Sequence, residues 1–173
     1  TALTEDLGLT GTLLRGRRLP DRLVRHEVAL HVSVDSDPWL RDHSIDGHPV
    51  LALAAAADLL AWASARPYPL SLDALTLYAG VVVDTPQELV LQVEGRRVDL
   101  RNADGRLHDR AQVGAAEDLP PLPPLTEGGD PPPLPLEAFY GGLTFHGPLL
   151  QGIRTLDALG ATWGRFDGFV HSI

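Results

Sequence analysis

An apolar run from Val50 to Ala65 constrains the fold of this chain more than any other feature. From Leu51 onward it consists mainly of alanine and leucine, and Asp58 is its single charged residue. This composition predicts a helix over residues 51–65 with apolar side chains on every face, and such a helix is stable in water only when it is buried. The run is short for a bilayer span, and Asp58 breaks it. We therefore expect a buried central helix in a soluble domain.

Alternating residues before this helix and branched residues after it predict β-strands. Residues 26–35 alternate between apolar and polar, which is typical of a half-buried strand. Further strands are predicted over 72–83, 89–94, 98–101 and 106–113. The last two form a hairpin, because Asp104 and Gly105 supply the positive φ of a tight turn. A helix packed on one curved antiparallel sheet buries both apolar surfaces, so the predicted fold class is α+β.

Composition and charge exclude several classes of function. The net charge is −9 and all 14 basic residues are arginine, which leaves no broad basic surface for nucleic acid. The absence of cysteine excludes disulfides and thiolate catalysis. Neither a phosphate-binding glycine motif, a serine-hydrolase elbow nor zinc-ligand spacing is present, so we expect no metal.

Residue usage also bears on the origin of the chain. Residues 1–20 lack a secretory signal, and a chain free of cysteine suits a reducing compartment, so we expect a cytoplasmic protein without a membrane partner. The use of arginine in place of lysine indicates a GC-rich bacterial genome. The absence of methionine indicates a piece of a longer polypeptide or a processed product.

His43 is the candidate catalytic residue of the segment that leads into the apolar run. It precedes Gly47 by four residues, and Pro49 has the fixed φ that suits the first turn of a helix. Free amides at the helix entrance would stabilise negative charge on a carbonyl oxygen near His43. Histidine suits a general base because its unperturbed pKa of about 6.5 leaves it mostly neutral at physiological pH. From the residues alone, the alternative is a solvated loop histidine.

A proline-rich stretch divides the chain. Residues 119–136 contain eight prolines, a density that excludes a helix or a central strand and predicts a stiff linker. We therefore expect one unit over residues 1–118 and the start of a second over residues 137–173. The second unit contains a glycine-rich motif, Phe139-Tyr-Gly-Gly-Leu-Thr-Phe-His-Gly-Pro-Leu-Leu-Gln-Gly-Ile153.

The two motifs together resemble the dehydratase domains of polyketide and related fatty-acid synthases. His43 and Gly47 match the family's His-x-x-x-Gly-x-x-x-x-Pro signature, whereas Ala52 stands at its proline and Leu53 at the glycine that often follows. The resemblance implies a double hotdog, in which each long helix is wrapped by an antiparallel sheet. Residues 1–118 would form the N-terminal hotdog, and residues 137–173 the truncated start of the second.

The second motif resembles the family's Tyr-Gly-Pro-x-Phe-Gln-Gly element. His146 and Leu150 stand at its aromatic positions, and the remaining residues match: Gly147, Pro148, Gln151 and Gly152. With these two replacements, the motif resembles that of the dehydratase-like domains of polyunsaturated fatty-acid and enediyne-type synthases.

The resemblance implies loss of water from a 3-hydroxyacyl thioester carried on the phosphopantetheine of an acyl carrier protein, with no cofactor bound by the domain itself. His43 would be the base. The family's acid is an aspartate followed four residues later by glutamine or histidine, a spacing that Asp167 and His171 share. The implied substrate-binding residues are Gly47, Val50, Leu51, Leu53, His146, Gly147 and Pro148. Other megasynthase domains and a second copy of the chain are the further partners implied.

Two readings of the function remain open from the sequence. The first is an active dehydratase with His43 as its base. The second is an inactive dehydratase-like hotdog that serves packing, dimerisation or carrier docking, because Ala52 and Leu53 depart from the family's pattern and the acid is missing from its usual place. A thioesterase would need a carboxylate facing the thioester, for which Asp46 and Asp58 are the nearby residues.

Overall fold

The computed structural model describes residues 25–116, 130–131, 134–159 and 164–168, and the side chains of residues 156, 158, 159 and 164–168 lie outside the description. The strands are β1 (Arg25–Val32), β2 (Ser44–Ile45), β3 (His48–Pro49), β4 (Leu70–Leu77), β5 (Gln87–Glu94), β6 (Arg97–Asn102), β7 (Leu107–Ala115), β8 (Ile153–Leu159) and β9 (Gly164–Gly168). The helices are α1 (Leu53–Ala63) and α2 (Leu136–Gly142), and short 3-10 helices span Pro38–Asp42 and Pro148–Leu150.

A five-stranded antiparallel sheet packs against α1, as the sequence predicted. The strand order is β1-β5-β6-β7-β4, and every pair of neighbouring strands is antiparallel. Apolar side chains alternate along the strands because one face of the sheet meets the helix. The buried residues on these elements include Leu59, Leu60, Leu89, Leu91, Val98, Leu100, Ala111 and Val113. The helix thus lies in the core, and the α+β prediction is confirmed.

The hairpin between β6 and β7 is also confirmed. Gly105 adopts a φ of +85°, a conformation that a residue with a β-carbon rarely adopts. The Asn102 side chain accepts a hydrogen bond from the Arg106 amide at 2.8 Å and closes the turn. This local chemistry fixes the register in which Leu100 lies opposite Asp109.

The entry to α1 differs from the expectation. The helix spans Leu53–Ala63 rather than residues 51–65, and Pro49 lies in β3 instead of the first helical turn. Pro49 cannot begin the helix because its carbonyl accepts a hydrogen bond from the Val83 amide at 2.8 Å, which holds the chain extended. Likewise, the strand expected over residues 72–83 ends at Leu77, and residues 81–83 pair with the approach to the helix instead.

A buried carboxyl lies on the helix-facing side of β7. Asp109 is 2 % exposed, and its Oδ1 has no hydrogen-bond partner among the residues that the structure describes. It shares its face of the sheet with Leu100 and Ala111, which belong to the core. Burial disfavours the ionised form and raises the pKa of Asp109 to about 6, although the neighbouring His108 opposes that change.

We expect Asp109→Asn to raise the free energy of unfolding above about pH 6, since the folded protein then no longer holds a buried carboxylate. The folded-state pKa lies above the unfolded one, so the stability that Asp109 contributes is full below the unfolded pKa and is lost as the pH rises through about 6. A rise from 3.8 to about 6 corresponds to about 3 kcal/mol. Urea unfolding across this pH range measures the difference between variant and parent.

The matched control is Asp104→Asn, which removes one negative charge from the exposed β6–β7 turn. The free energy of unfolding of this control variant should change with pH as that of the parent does. If the free energy of unfolding of Asp109→Asn also changed with pH as that of the parent does, the buried carboxyl would not be the source of the pH dependence.

Candidate active site

A buried segment mounts His43 beside the start of α1. His43 directly follows the 3-10 helix Pro38–Asp42, in which Trp39 is 2 % exposed and Leu40 is fully buried. The hairpin β2–β3 comes next, and its turn residues Asp46 and Gly47 both adopt positive φ, 54° and 84°. Two buried apolar side chains therefore anchor the loop on one side of His43, and a tight turn fixes it on the other.

The ring of His43 is oriented by the backbone of Val50. The half-buried imidazole lies with Nδ1 2.7 Å from the Val50 carbonyl oxygen, and the Val50 amide donates in return to the His43 carbonyl at 2.9 Å. A carbonyl oxygen can only accept a hydrogen bond, so Nδ1 carries the proton in the neutral ring. The lone pair of neutral His43 is therefore on Nε2, as a general base requires.

The second motif lies directly against this histidine. His43 and His146 form an antiparallel β-bridge, and their ring centroids are 5.6 Å apart. The Phe145 ring meets His43 edge-on at 5.1 Å and stacks on His146 at 4.7 Å. Burial, together with the nearby His43, lowers the pKa of His146, which favours the neutral imidazole. The structure thus joins two motifs that are about a hundred residues apart in the sequence.

Asp42 holds the two motifs together. Its carbonyl oxygen accepts a hydrogen bond from the Gly147 amide at 2.8 Å, and its carboxylate Oδ2 accepts one from the Leu149 amide at 2.6 Å. Gly147 packs so closely that a β-carbon there would lie 2.8 Å from the Asp42 Cβ and overlap the carboxylate. Gly147 is therefore required for close approach, and its φ of −74° is ordinary.

We expect Gly147→Ala to separate the two motifs, because an added methyl group that overlaps Asp42 forces the backbone apart. The amides of Gly147 and Leu149 should then exchange with solvent faster, by about 10-fold for each 1.4 kcal/mol lost. Hydrogen exchange followed by mass spectrometry or NMR measures this. Gly141→Ala is the control, since a β-carbon there meets nothing within 4 Å. Equal exchange in both variants would contradict the predicted overlap.

The entrance of α1 leaves backbone donors uncapped. Ala52 precedes the helix in an extended conformation, and no side chain caps the first turn. The first amides of a helix have no acceptor within it, so they are available to an oxygen of a ligand. Leu53, the first helical residue, is 44 % exposed, whereas Leu51 is buried and its amide donates to the Val81 carbonyl at 2.9 Å.

Some of the substrate-binding residues that the resemblance implied lie around His43, and others do not. Val50, His146 and Gly147 belong to the surroundings of His43, and Pro148 begins the short 3-10 helix beside them. Gly47 lies in the exposed turn of β2–β3. The roles assigned to these residues remain predictions.

The described residues place the candidate base, His43, but not the side chain of the candidate acid, Asp167. Asp167 lies on β9 opposite Thr155 of β8, and its side chain is outside the described part of the structure, as is His171. Among the described side chains, no carboxylate forms a hydrogen bond with His43 or His146. Asp46 is exposed in its turn, and Asp58 is half-buried on α1, where burial raises its pKa.

The other histidines of the described residues have structural partners. His48 contacts Asp84 at 2.8 Å, and His31 contacts Glu88 at 2.6 Å. His26 lies 2.9 Å from the Ala63 carbonyl. Within the described ranges, no three histidine or carboxylate side chains lie close enough to hold a metal ion. No helix of the described part is long and apolar enough to cross a membrane.

An antiparallel sheet around a central helix, with a histidine before the first helical turn, defines a protein of the hotdog class. The chain belongs to the polyketide synthase dehydratase domain family, whose sequence model matches residues 16–109, just over half of the chain. No curated protein sequence matches the chain significantly.

Solved structures show the same fold. The chain is 26% identical to the dehydratase domain of PpsC from Mycobacterium tuberculosis in complex with C12:1-CoA, with a TM-score of 0.68 over 84% of this chain and 58% of that one. GphF Dehydratase 1 is 22% identical, with a TM-score of 0.64 over 86% of this chain and 60% of that one. The erythromycin dehydratase is 21% identical, with a TM-score of 0.62 over 79% and 58%. The chain thus spans about 60% of the length of these dehydratases.

Sequence reasoning assigned no role to Asp42 or Phe145. Phe145 stands within the second motif, and Asp42 directly precedes His43 at the start of the first. Only the pairing of the motifs in space gives them contacts with the site. A carboxylate next to a candidate base, and an aromatic residue next to His146, were the available signals.

Proposed function

We propose that this chain carries the base of a dehydratase that eliminates water from a 3-hydroxyacyl thioester. The thioester would be borne on the phosphopantetheine of an acyl carrier protein, within a polyketide synthase. The observation that carries the proposal is the contact of His43 Nδ1 with the Val50 carbonyl at 2.7 Å, because it leaves the Nε2 lone pair free for a substrate proton. Membership of the dehydratase family supports the same assignment.

The proposed reaction follows from these groups. Nε2 of His43 removes a proton from C2 of the acyl chain, and the electron pair moves toward the thioester carbonyl. Uncapped amides at the start of α1 stabilise the charge that develops on that oxygen. The electrons then form the C2–C3 double bond as the C3–oxygen bond breaks, and an acid protonates the leaving hydroxyl to give water. Within this chain, Asp167 has the family's spacing and is the candidate for this acid; the alternative is a residue outside this sequence or in another chain.

The surroundings of His43 suit an apolar acyl chain. Leu53 at the helix entrance, Phe145 beside His43 and Leu149 in the second motif are all about half exposed. Apolar side chains that border a half-buried polar group favour a ligand with an apolar tail and a polar head. The structure of the PpsC dehydratase domain in complex with C12:1-CoA supports this class of substrate.

A second function has one observation in its favour. Among the described side chains, none supplies an acid to the site, which is the arrangement expected of an inactive dehydratase-like hotdog with a structural or carrier-docking role. An inactive site could have been blocked by a bulky side chain such as Leu53 at the helix entrance. Leu53 is 44 % exposed, so it does not pack into the site and close it. We therefore retain the active dehydratase as the proposed function.

Turnover of a small thioester separates the two functions. The chain is incubated with a 3-hydroxyacyl pantetheine thioester, and the 2-enoyl product is followed by mass spectrometry; the reverse hydration is followed in parallel. Formation of enoyl thioester above the uncatalysed rate supports the dehydratase. Absence of reaction in both directions, with the folded state verified, supports the structural role. Release of free acid would instead indicate a thioesterase.

A further inference from the structure

We propose that Asp42 is a positioning residue, which holds the second motif against the catalytic histidine; as a statement about catalysis, this rests on the proposed function. Asp42 ends the 3-10 helix Pro38–Asp42 and directly precedes His43. Any group bound to Asp42 is therefore held at a fixed place relative to the base.

The backbone and the side chain of Asp42 both accept hydrogen bonds from the second motif. The backbone carbonyl accepts from the Gly147 amide at 2.8 Å, and the carboxylate accepts from the Leu149 amide at 2.6 Å. An ionised acceptor forms a stronger hydrogen bond than a neutral one. These two bonds flank Pro148 and clamp the start of the 3-10 helix Pro148–Leu150.

The clamp determines where two rings lie. His146 and Phe145 immediately precede Gly147, and their centroids lie 5.6 Å and 5.1 Å from that of His43. If the segment moved, both rings would leave the histidine. Phe145 is 52 % exposed, so burial in a core does not fix its position. The β-bridge between His43 and His146 and the two hydrogen bonds to Asp42 therefore supply the constraint together.

Asp42 has no competing electrostatic role in the described structure. The neighbouring Asp35 forms an ion pair with Arg41 at 3.1 Å, whereas the carboxylate of Asp42 forms no ion pair with any described residue. Its bond to a backbone amide spans 107 residues of sequence. An aspartate that bonds a distant amide beside a candidate base is placed to position that base's surroundings.

The test compares Asp42→Ala with Asp42→Asn, because an asparagine Oδ1 can still accept from the Leu149 amide. We expect Asp42→Ala to lower kcat by roughly 10- to 100-fold, as misplacement near reacting groups does, with KM changed by less than about threefold. Asp42→Asn should recover most of that loss. Asp35→Ala is the matched control, since it removes an aspartate from the same loop without touching the second motif; it should keep the parent's kcat.

Amide exchange at Leu149 gives a readout that needs no turnover. The Leu149 amide should exchange faster in Asp42→Ala than in the parent, and at the parent's rate in Asp35→Ala. In Asp42→Asn it should exchange more slowly than in Asp42→Ala, because the neutral oxygen still accepts, although less strongly than a carboxylate. An inactive parent would refute the proposed function while exchange still decides the clamp. Unchanged exchange in Asp42→Ala, or unchanged kcat in an active enzyme, would overturn the inference. An equal loss of activity in Asp42→Ala and Asp42→Asn would overturn it too, because the hydrogen bond would then not be the cause.

Discussion

Replacing His43 by alanine is expected to lower kcat for dehydration of a 3-hydroxyacyl pantetheine thioester by about 10²- to 10⁴-fold, the usual contribution of a general base. The physical reason is the free Nε2 lone pair, which the contact of Nδ1 with the Val50 carbonyl leaves facing away from the backbone. Alanine offers no proton acceptor at that position. Single-turnover measurement of the enoyl product determines the loss without interference from product release.

His48→Ala is the matched control for that experiment. His48 lies in the same hairpin region but is exposed, and its Nδ1 contacts the Asp84 carboxylate at 2.8 Å. Its loss removes one exposed contact with a carboxylate, which contributes about 0–1 kcal/mol, and leaves His43 in place. A His43→Ala variant that kept the parent's rate would remove the assigned base. A His48→Ala variant as inactive as His43→Ala would show that the hairpin, rather than one ring, is required.

Leu59→Ala on the central helix is expected to lower the free energy of unfolding by about 2–5 kcal/mol. Leu59 is fully buried between α1 and the sheet, and truncation removes apolar contacts and leaves a cavity. Since natural domains are stable by only about 5–15 kcal/mol, this single change should shift the midpoint of urea unfolding substantially.

Leu53→Ala tests the same substitution at an exposed place on the same helix. Leu53 is 44 % exposed, so its truncation should cost less than about 1 kcal/mol. Equal losses from the two variants would contradict the packing of α1 in the structure. If Leu53 contacts an acyl chain, Leu53→Ala should also raise KM for a long-chain thioester more than for a short one.

The prediction of the fold succeeded where local pattern and burial agree. The apolar run predicted a buried helix, and α1 has seven buried residues among its 11. The Asp104-Gly105 turn predicted the β6–β7 hairpin, because positive φ is a local demand of the backbone. Pro49 failed as a helix start because its carbonyl pairs with Val83, a residue whose approach no local pattern reveals.

The candidate site likewise has features that the sequence predicted and features that only the structure shows. The sequence by itself determined that a central helix must be buried, that antiparallel strands surround it, and that His43 stands near its entrance, because each depends on neighbours in the chain. The tertiary structure alone decided that Val50 orients the His43 ring, and that Asp42 binds Gly147 and Leu149. The contact between His43 and Val50 depends on how the chain turns between them, and the Asp42 contacts depend on how the fold brings distant residues together. Hydrogen-bond partners chosen by three-dimensional proximity leave no periodic signal in the sequence.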